Sequence, residues 1–351
     1  MKTRRIATLL ALLFLFPGRA LAEAPEHIKW VDFNVTYGAM TAALDYDLKT
    51  YGTDIHLNWV ELLAVLGARY GGSFSKYKKS HLDELAAKRL AGESLEDITS
   101  ALPQYEYYRE AYAAILGEFV GQHRVEVPDP DNPERTIWEE RYGLKAYSPI
   151  AANFGYGDFD DFGAGRNYGY RRRHLGHDMF GDVGTPIVAV ESGIVQALGW
   201  NQYGGWRIGI RSFDGVRYYY YAHLRKDRPY HTGLKEGAIV KAGDVIGYMG
   251  RTGYSRKENV NGIRETHLHW GMQLIFHPEQ EEGPKEIWVD VYNITRLLAR
   301  NRSETYRVPE TKEFYRTRDF DEPNLFGRVN TAAKAARRES GAQTVSQREP
   351  I

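Results

Sequence analysis

The chain of 351 residues contains no cysteine. This absence excludes disulfides, thiolate metal sites and a lipid anchor attached to cysteine. An exported protein without disulfides must draw its stability from core burial or from a bound metal. After the N-terminal segment, no apolar run approaches ~20 residues, so we expect no transmembrane segment in the mature chain. The His-Glu-x-x-His motif is also missing, which excludes the common helix-based zinc proteases.

The sequence has no excess of positive charge. Its 46 basic residues are balanced by 46 acidic residues. Removal of residues 1–22 would take away four basic residues and no acid, leaving a net charge of about −4. Because proteins that bind nucleic acid carry a basic face, no nucleic-acid partner is expected.

The first 22 residues have the pattern of a secretory signal peptide. Lys2, Arg4 and Arg5 precede a short apolar run, and a small-x-small cleavage site ends at Ala22. We therefore expect an exported protein, periplasmic or secreted, whose mature chain begins near Glu23. An uncleaved membrane anchor is the alternative.

Residues 23–125 are predicted to form a helical N-terminal domain. Asn58 is a suitable N-cap for a helix in which apolar residues recur at three- and four-residue steps. Residues 126–146 are rich in proline and polar residues, which is typical of a linker. Residues 147–170 combine Gly, Asp and aromatic residues without a clear period, as in an irregular approach to a site.

Short β-rich runs alternate with glycine turns from about His174 onward. Asp214-Gly215, between two such runs, is a strong hairpin signal. The regular spacing predicts a mostly antiparallel β-sandwich or barrel within residues 147–304, ending in a closing helix over 287–300. The predicted fold class is thus α+β. Residues 305–351 are predicted to be a mostly disordered extension.

Two histidine motifs indicate a metal site. In His174-x-Gly-x-Asp178 and His267-x-His269 both spacings are even, so on extended strands each pair points to one face. Two such strands side by side would bring three imidazoles and a carboxylate together. Zinc accepts these ligand types and leaves one coordination position for water in catalytic sites. His177 has the opposite parity and is expected to face away.

A hydrolase built on such a site also needs a proton acceptor and a donor to the developing oxyanion. Two histidines are left over for these tasks. One is His223, in Tyr221-Ala222-His223-Leu224, and the other lies in the pair His267 and His269.

The motifs His174-Leu175-Gly176-His177-Asp178, Tyr221-Ala222-His223-Leu224 and His267-Leu268-His269 stand in the order found in the lysostaphin-type zinc metallopeptidases. The chain resembles this family over about residues 147–280. The resemblance implies a β-fold of the duplicated hybrid motif type and a peptidoglycan endopeptidase activity. It also implies that His174, Asp178 and His269 hold Zn²⁺, that His267 is the general base on the metal-bound water, and that His223 stabilises the tetrahedral intermediate.

The leading hypothesis is an exported zinc-dependent endopeptidase that hydrolyses peptide bonds in peptidoglycan stems or cross-links. Tyr203, Trp206, Tyr254 and residues 156–170 are candidate walls of the substrate groove. Some relatives with this fold have lost their ligands and act as scaffolds or activators of other wall hydrolases, but here the full set is intact. A metalloprotease that acts on proteins remains an alternative. The helical domain has three open roles: wall targeting, packing or autoinhibition.

Overall fold

The computed structural model describes residues 28, 31, 33–167, 171–281 and 285–323. The predicted signal peptide, and the extension beyond residue 323, lie outside the described residues. Six α-helices are found within these ranges: α1 (Tyr37–Thr50), α2 (Trp59–Tyr70), α3 (Lys79–Leu90), α4 (Leu95–Thr99), α5 (Tyr105–Leu116) and α6 (Tyr292–Leu298). None of these helices combines the length and the apolar character needed to cross a bilayer.

The described ranges also contain seventeen strands, many of them very short. They are β1 (Val120–Asp129), β2 (Asn132–Leu144), β3 (Gly157–Asp158), β4 (Gly165–Arg166), β5 (Arg172–Arg173), β6 (His177–Phe180), β7 (Pro186–Val188), β8 (Gly193–Asn201), β9 (Gly205–Ser212), β10 (Arg217–Ala222), β11 (Ile239–Val240), β12 (Val245–Tyr248), β13 (His267–Leu274), β14 (Ile287–Val289), β15 (Thr305–Arg307), β16 (Phe314–Arg316) and β17 (Phe320–Asp321). The resulting helical segment followed by antiparallel sheets confirms the predicted α+β class.

The N-terminal helices form for the local reasons that the sequence indicates. The Asn58 side chain accepts hydrogen bonds from the backbone N–H groups of Val60 and Glu61, at 2.9 and 3.2 Å, and so caps α2. Gly71, with φ of +61°, ends this helix in the left-handed conformation that glycine adopts without strain. The apolar face of α2 is buried between α1, α3 and α5.

Residues 120–144 form a long β-hairpin, β1–β2, where the sequence predicts a linker over 126–146. All three prolines of the segment fit into it, and Pro130 lies in the turn between the two strands. Pro133 lies in β2, an edge strand, and Pro128 lies in β1 beyond the two residues that pair with β17. Proline is tolerated at such positions because its missing N–H falls where no neighbouring strand needs it.

An eight-stranded antiparallel sheet is the frame of the site. Its strand order is β11-β8-β9-β10-β13-β6-β3, and β14 also pairs with β13. Alternation along β10 sends Tyr219 and Tyr221 into the core, whereas Tyr218 and Tyr220 lie on the opposite face. That second face is the floor of the cleft described below.

The C-terminal part of the sheet domain differs from the predicted closing helix over 287–300. Residues 287–289 form strand β14 instead, because they pair with β13 and complete the sheet edge. Only Tyr292–Leu298 is helical, with Ile294, Leu297 and Leu298 buried.

Residues 305–321 are also ordered, in strands β15 to β17, although the sequence predicts a mostly disordered extension from residue 305. Buried polar contacts fix the end of this segment. Glu322 accepts hydrogen bonds from Ser192 Oγ at 2.7 Å and from Lys145 Nζ at 3.1 Å.

The helices and the sheets share one continuous hydrophobic core. A buried arginine joins them. Arg217 in β10 is 1% exposed, pairs with Glu191 at 2.8 Å, and donates from Nη1 to the carbonyl of Ala114 in α5 at 2.7 Å. Because a buried guanidinium must have all its donors satisfied, this contact fixes α5 against the sheet.

Candidate metal centre

Strands β6 and β13 bring the two sequence motifs together. They pair antiparallel, and Asp178 lies directly opposite His269. Directly opposed residues on neighbouring strands share a face of the sheet and lie about 5 Å apart, which places both side chains in the cleft. His267, two residues before His269, lies on the same face, as its spacing predicts.

His174 reaches the same point without lying on a strand. The even spacing predicts His174 and Asp178 on one extended segment, but β6 begins only at His177, and Gly176 has a φ of +155°. The chain turns at this glycine, so strand alternation does not explain the position of His174. The turn nevertheless directs the imidazole toward Asp178.

The three side chains converge closely. His174 Nε2 lies 3.0 Å from Asp178 Oδ1 and 3.1 Å from His269 Nδ1. Asp178 Oδ1 lies 2.8 Å from His269 Nδ1. Among the described residues these three form a group whose ligand atoms all lie within 4.8 Å of one another. Two imidazoles and a carboxylate are a donor set that zinc accepts, so the residues fit a zinc ion.

The electrostatics of Asp178 agree with a ligand role. Burial alone would raise the pKa of this carboxyl group. Hydrogen bonds from His174 and His269 outweigh burial and hold the pKa of Asp178 well below its usual range. The group is therefore a carboxylate over the whole physiological range, as a metal ligand must be.

Asp161 and Arg166 surround the group, and sequence reasoning did not identify either residue. Asp161 Oδ1 lies 3.0 Å from His174 Nδ1, on the side of the ring away from Asp178. Arg166 Nη2 lies 3.4 Å from Asp178 Oδ2 and also contacts Asp161. From the sequence, residues 147–170 are predicted only to lead to a site. The segment has no regular spacing of residue types, so its individual contacts cannot be predicted.

Two further histidines lie beside the group. His267 Nδ1 donates to the carbonyl of Glu265 at 2.9 Å, and His223 Nδ1 donates to the carbonyl of Thr252 at 3.0 Å. A carbonyl only accepts, so Nδ1 carries the proton in both rings, and a neutral ring presents Nε2 as an acceptor. His267 Nε2 lies 3.7 Å from Asp178 Oδ1, and the ring centres of His223 and His267 are 4.7 Å apart.

His223 has an unusual backbone and an unusual environment. Its φ is +62°, which is rare for a residue other than glycine and is found preferentially at functional positions. Burial, reinforced by the charges of His267 and His269, lowers the pKa of His223 well below its usual value. Burial also lowers the pKa of His267.

The remaining histidines of this domain have structural contacts. His177 faces away from the group, as its spacing predicts, and lies 2.9 Å from Asp158 Oδ2. His231 packs edge-on against Tyr315. His277 caps the short 3-10 helix Pro278–Gln280.

The group opens into a cleft of about 710 Å³. Tyr203 and Tyr254 line it, as predicted, but Trp206 is not among the described lining residues and instead packs against Trp200 and Tyr230. Within the described part of the chain, the lining extends from residue 166 to residue 288 and includes no residue of α1–α5. Of the predicted wall segment 156–170, residues 168–170 lie outside the description.

A comparison with known protein families concerns the same part of the chain. Residues 172–281 match Peptidase family M23. The L-Ala–D-Glu endopeptidase of Bacillus subtilis (strain 168) is 40% identical over 124 residues, which are 35% of this chain and 36% of that protein. The glycyl-glycine endopeptidase ALE-1 of Staphylococcus capitis is 40% identical over 114 residues, covering 32% and 28% of the two chains.

A similar solved structure is that of a putative glycyl-glycine endopeptidase, lytM, from Ruminococcus gnavus ATCC 29149. It is 22% identical, with a TM-score of 0.49, and the match covers 76% of this chain and 89% of that one. The chain spans about a third of the length of the two curated relatives above.

Proposed function

We propose, from the premise that residues 172–281 are a domain of peptidase family M23, that the chain is an exported zinc-dependent endopeptidase that hydrolyses peptide bonds in peptidoglycan stems or cross-links. One observation carries the proposal. His174, Asp178 and His269 converge to within 4.8 Å, and two histidines outside this group lie beside it in an open cleft.

His174 Nε2, Asp178 Oδ1 and His269 Nδ1 would hold the zinc ion. When bound, zinc lowers the pKa of a coordinated water to ~7 and polarises the carbonyl of the substrate. Asp161 supports this assignment, because its backbone carbonyl accepts a hydrogen bond from His174 Nδ1 at 3.4 Å and its carboxylate lies 3.0 Å from the same nitrogen. An acceptor at the second nitrogen fixes the tautomer and the orientation of a metal-binding imidazole.

His267 is suited to the role of general base. Its Nδ1 proton is committed to the Glu265 carbonyl, so Nε2 is the atom that accepts a proton, and this atom faces the ligand group. His223 has the same tautomer, fixed by the Thr252 carbonyl. Its lowered pKa keeps the ring neutral, so a proton at Nε2 would have to come from the reaction, by way of His267, whose ring centre is 4.7 Å away. With that proton, Nε2 can donate to the negative charge that develops on the substrate carbonyl.

The cleft supports binding of an extended, polar peptide. The rings of Tyr203 and Tyr254 line it, and Tyr218 and Tyr220 lie on its floor. Tyrosine combines an apolar face with a hydroxyl group, which suits a wet groove that holds a polar polymer. The signal-peptide pattern of residues 1–22 supports a location outside the cytoplasm, where peptidoglycan is found.

The test is digestion of purified peptidoglycan sacculi with the full mature protein, followed by mass spectrometry of the released fragments. We expect release that a chelator abolishes. His269→Ala should lose both zinc and release, whereas His267→Ala should keep zinc and lose a factor of ~10² to 10⁴ in rate. His277→Ala, which alters a histidine outside the cleft, is the matched control and should behave like the wild type.

Release that persists at full rate in the chelated protein would refute metal catalysis. Equal zinc loss in the His267 and His269 variants would refute the division of these two residues into base and ligand. Circular dichroism of each variant shows whether the sheet domain is folded.

A further inference from the structure

The cleft carries more positive than negative side chains. Five arginines and three acidic residues line it. All three acids already have contacts of their own. Asp178 belongs to the ligand group, Glu265 pairs with Arg264 at 3.2 Å, and Glu286 accepts from Trp288 Nε1 at 2.8 Å. Arg166 and Arg264 are themselves paired with acids, but the five arginines outnumber the three acids, so the walls keep a net positive charge.

Arg207 occupies a defined position in this surface. In the pairing of β9 with β10, Ile208 lies opposite Tyr221, so Arg207 lies opposite Ala222 in the same register. Ala222 in turn lies opposite His269. Arg207 is thus in the same cross-strand row as His269, two strand spacings away, or about 10 Å along the cleft floor.

The Arg207 guanidinium has no carboxylate partner among the described residues, although the side chain is half-buried. Arg211, four residues further along β9 and outside the cleft lining, contrasts with it. Arg211 pairs with Glu281 at 3.4 Å and donates to the Gly215 carbonyl. A partly buried charge without a partner is unfavourable, and an anion bound in the cleft would relieve this cost.

A second arginine lies at the rim. Arg172 packs over Tyr203 at 4.9 Å and over Tyr254 at 5.4 Å, measured to the ring centres. Arginine held against aromatic faces keeps its planar donor edge oriented, and such an edge matches a carboxylate. The positive surface thus extends from the floor to the rim of the cleft.

We propose that the cleft selects peptides with a free carboxylate, and that Arg207 is the residue that binds this carboxylate. In an extended peptide, the residue that carries the carboxylate would lie within about three residues of the cleaved bond. This inference rests on the proposed function and narrows it. It assigns the enzyme to acidic stem peptides rather than to uncharged glycine bridges.

The test compares two soluble substrates prepared from the same peptidoglycan. One is the native fragment with free carboxylates, and the other is the same fragment with its carboxylates converted to amides. Both are digested by the full mature protein, by Arg207→Gln and by the matched control Arg211→Gln. The kcat/KM ratio of free to amidated fragment is the quantity measured.

We expect the wild type and Arg211→Gln to prefer the free fragment by about ten- to a hundred-fold, the range for hydrogen bonds to a charged group. In Arg207→Gln the ratio should fall to near one, through loss of activity on the free fragment alone. Arg207→Lys, which keeps the charge, should retain part of the preference. A substitution that merely weakened the fold would lower activity on both fragments equally.

Equal cleavage of both fragments by the wild type would overturn the inference while leaving the proposed function intact. An Arg207→Gln variant that retains the full preference would also overturn it. Absence of cleavage of either fragment by the wild type would instead refute the proposed function. If the Gln variant does not fold, the wild-type ratio and the Lys variant decide the question.

Discussion

A single methyl group added at Gly176 should disable the candidate metal centre. A Cβ at this position would lie 2.6 Å from Cε1 and Nε2 of His269 and 2.9 Å from the carbonyl oxygen of Trp270. The φ of +155° is also a conformation that residues with a side chain rarely adopt. The glycine is therefore required twice, for the turn and for close approach to a ligand ring.

The size of the effect follows from the contact. For the distance between the new Cβ and the His269 ring to lengthen from 2.6 Å to an ordinary 3.4 Å, the ring must move by about 0.8 Å. The Cβ itself has no room to move away, because the Trp270 carbonyl beside it belongs to the rigid strand β13. His269 Nδ1 now lies 3.1 Å from His174 Nε2. A displacement of ~1 Å in a catalytic geometry can cost ~10² in rate. We expect Gly176→Ala to lower zinc affinity by at least about ten- to a hundred-fold.

The assay is a competition titration of zinc between the protein and a chromogenic chelator, with thermal melting of the metal-free protein in parallel. Gly199→Ala is the matched control, since its φ of +121° is similarly disfavoured but its Cβ meets no atom within 4 Å. It should lose stability without losing zinc affinity. Wild-type zinc affinity in Gly176→Ala would refute the argument from close approach.

Three further substitutions test the surroundings. Asp161→Asn should weaken zinc binding by about ten- to a hundred-fold in the same competition titration, because the carboxylate beside His174 Nδ1 is lost. Asp160→Asn, at an exposed position, is the control and should leave zinc affinity unchanged. Equal zinc affinities in the two variants would contradict a role for the Asp161 carboxylate. Glu191→Ala leaves the buried Arg217 guanidinium without its main partner and should cost about 3–5 kcal/mol in urea unfolding. The buried Asp47 carboxylate accepts hydrogen bonds from the Trp59 amide, the Tyr142 hydroxyl and the His56 ring, so Asp47→Ala should lower the free energy of unfolding by about 1–3 kcal/mol per lost bond. A total loss under about 1 kcal/mol would show that water replaces the carboxylate.

The fold class followed from the sequence because its signals are local. N-caps, glycine turns and apolar periods depend on residues a few positions apart, and α2 with its Asn58 cap is a direct example. The structure differs from the sequence prediction where strand pairing overrode local composition. Residues 126–144 became part of a hairpin, and residues 287–289 became an edge strand on β13, because in each case a neighbouring strand along the chain offered backbone partners.

The shared face of His267 and His269 could be predicted from the sequence alone, since strand alternation puts residues two apart on one side of a sheet, whereas Asp178 is set opposite His269 by the pairing of β6 with β13. Only the tertiary structure decided how His174 reaches these residues, because the turn at Gly176 is not encoded in a regular spacing of residues along the chain. Asp161, Arg166 and Arg207 belong to the same category. Their contacts with the centre, or their place in the cleft, depend on how separate strands and loops pack, and spacing along the chain does not encode that packing.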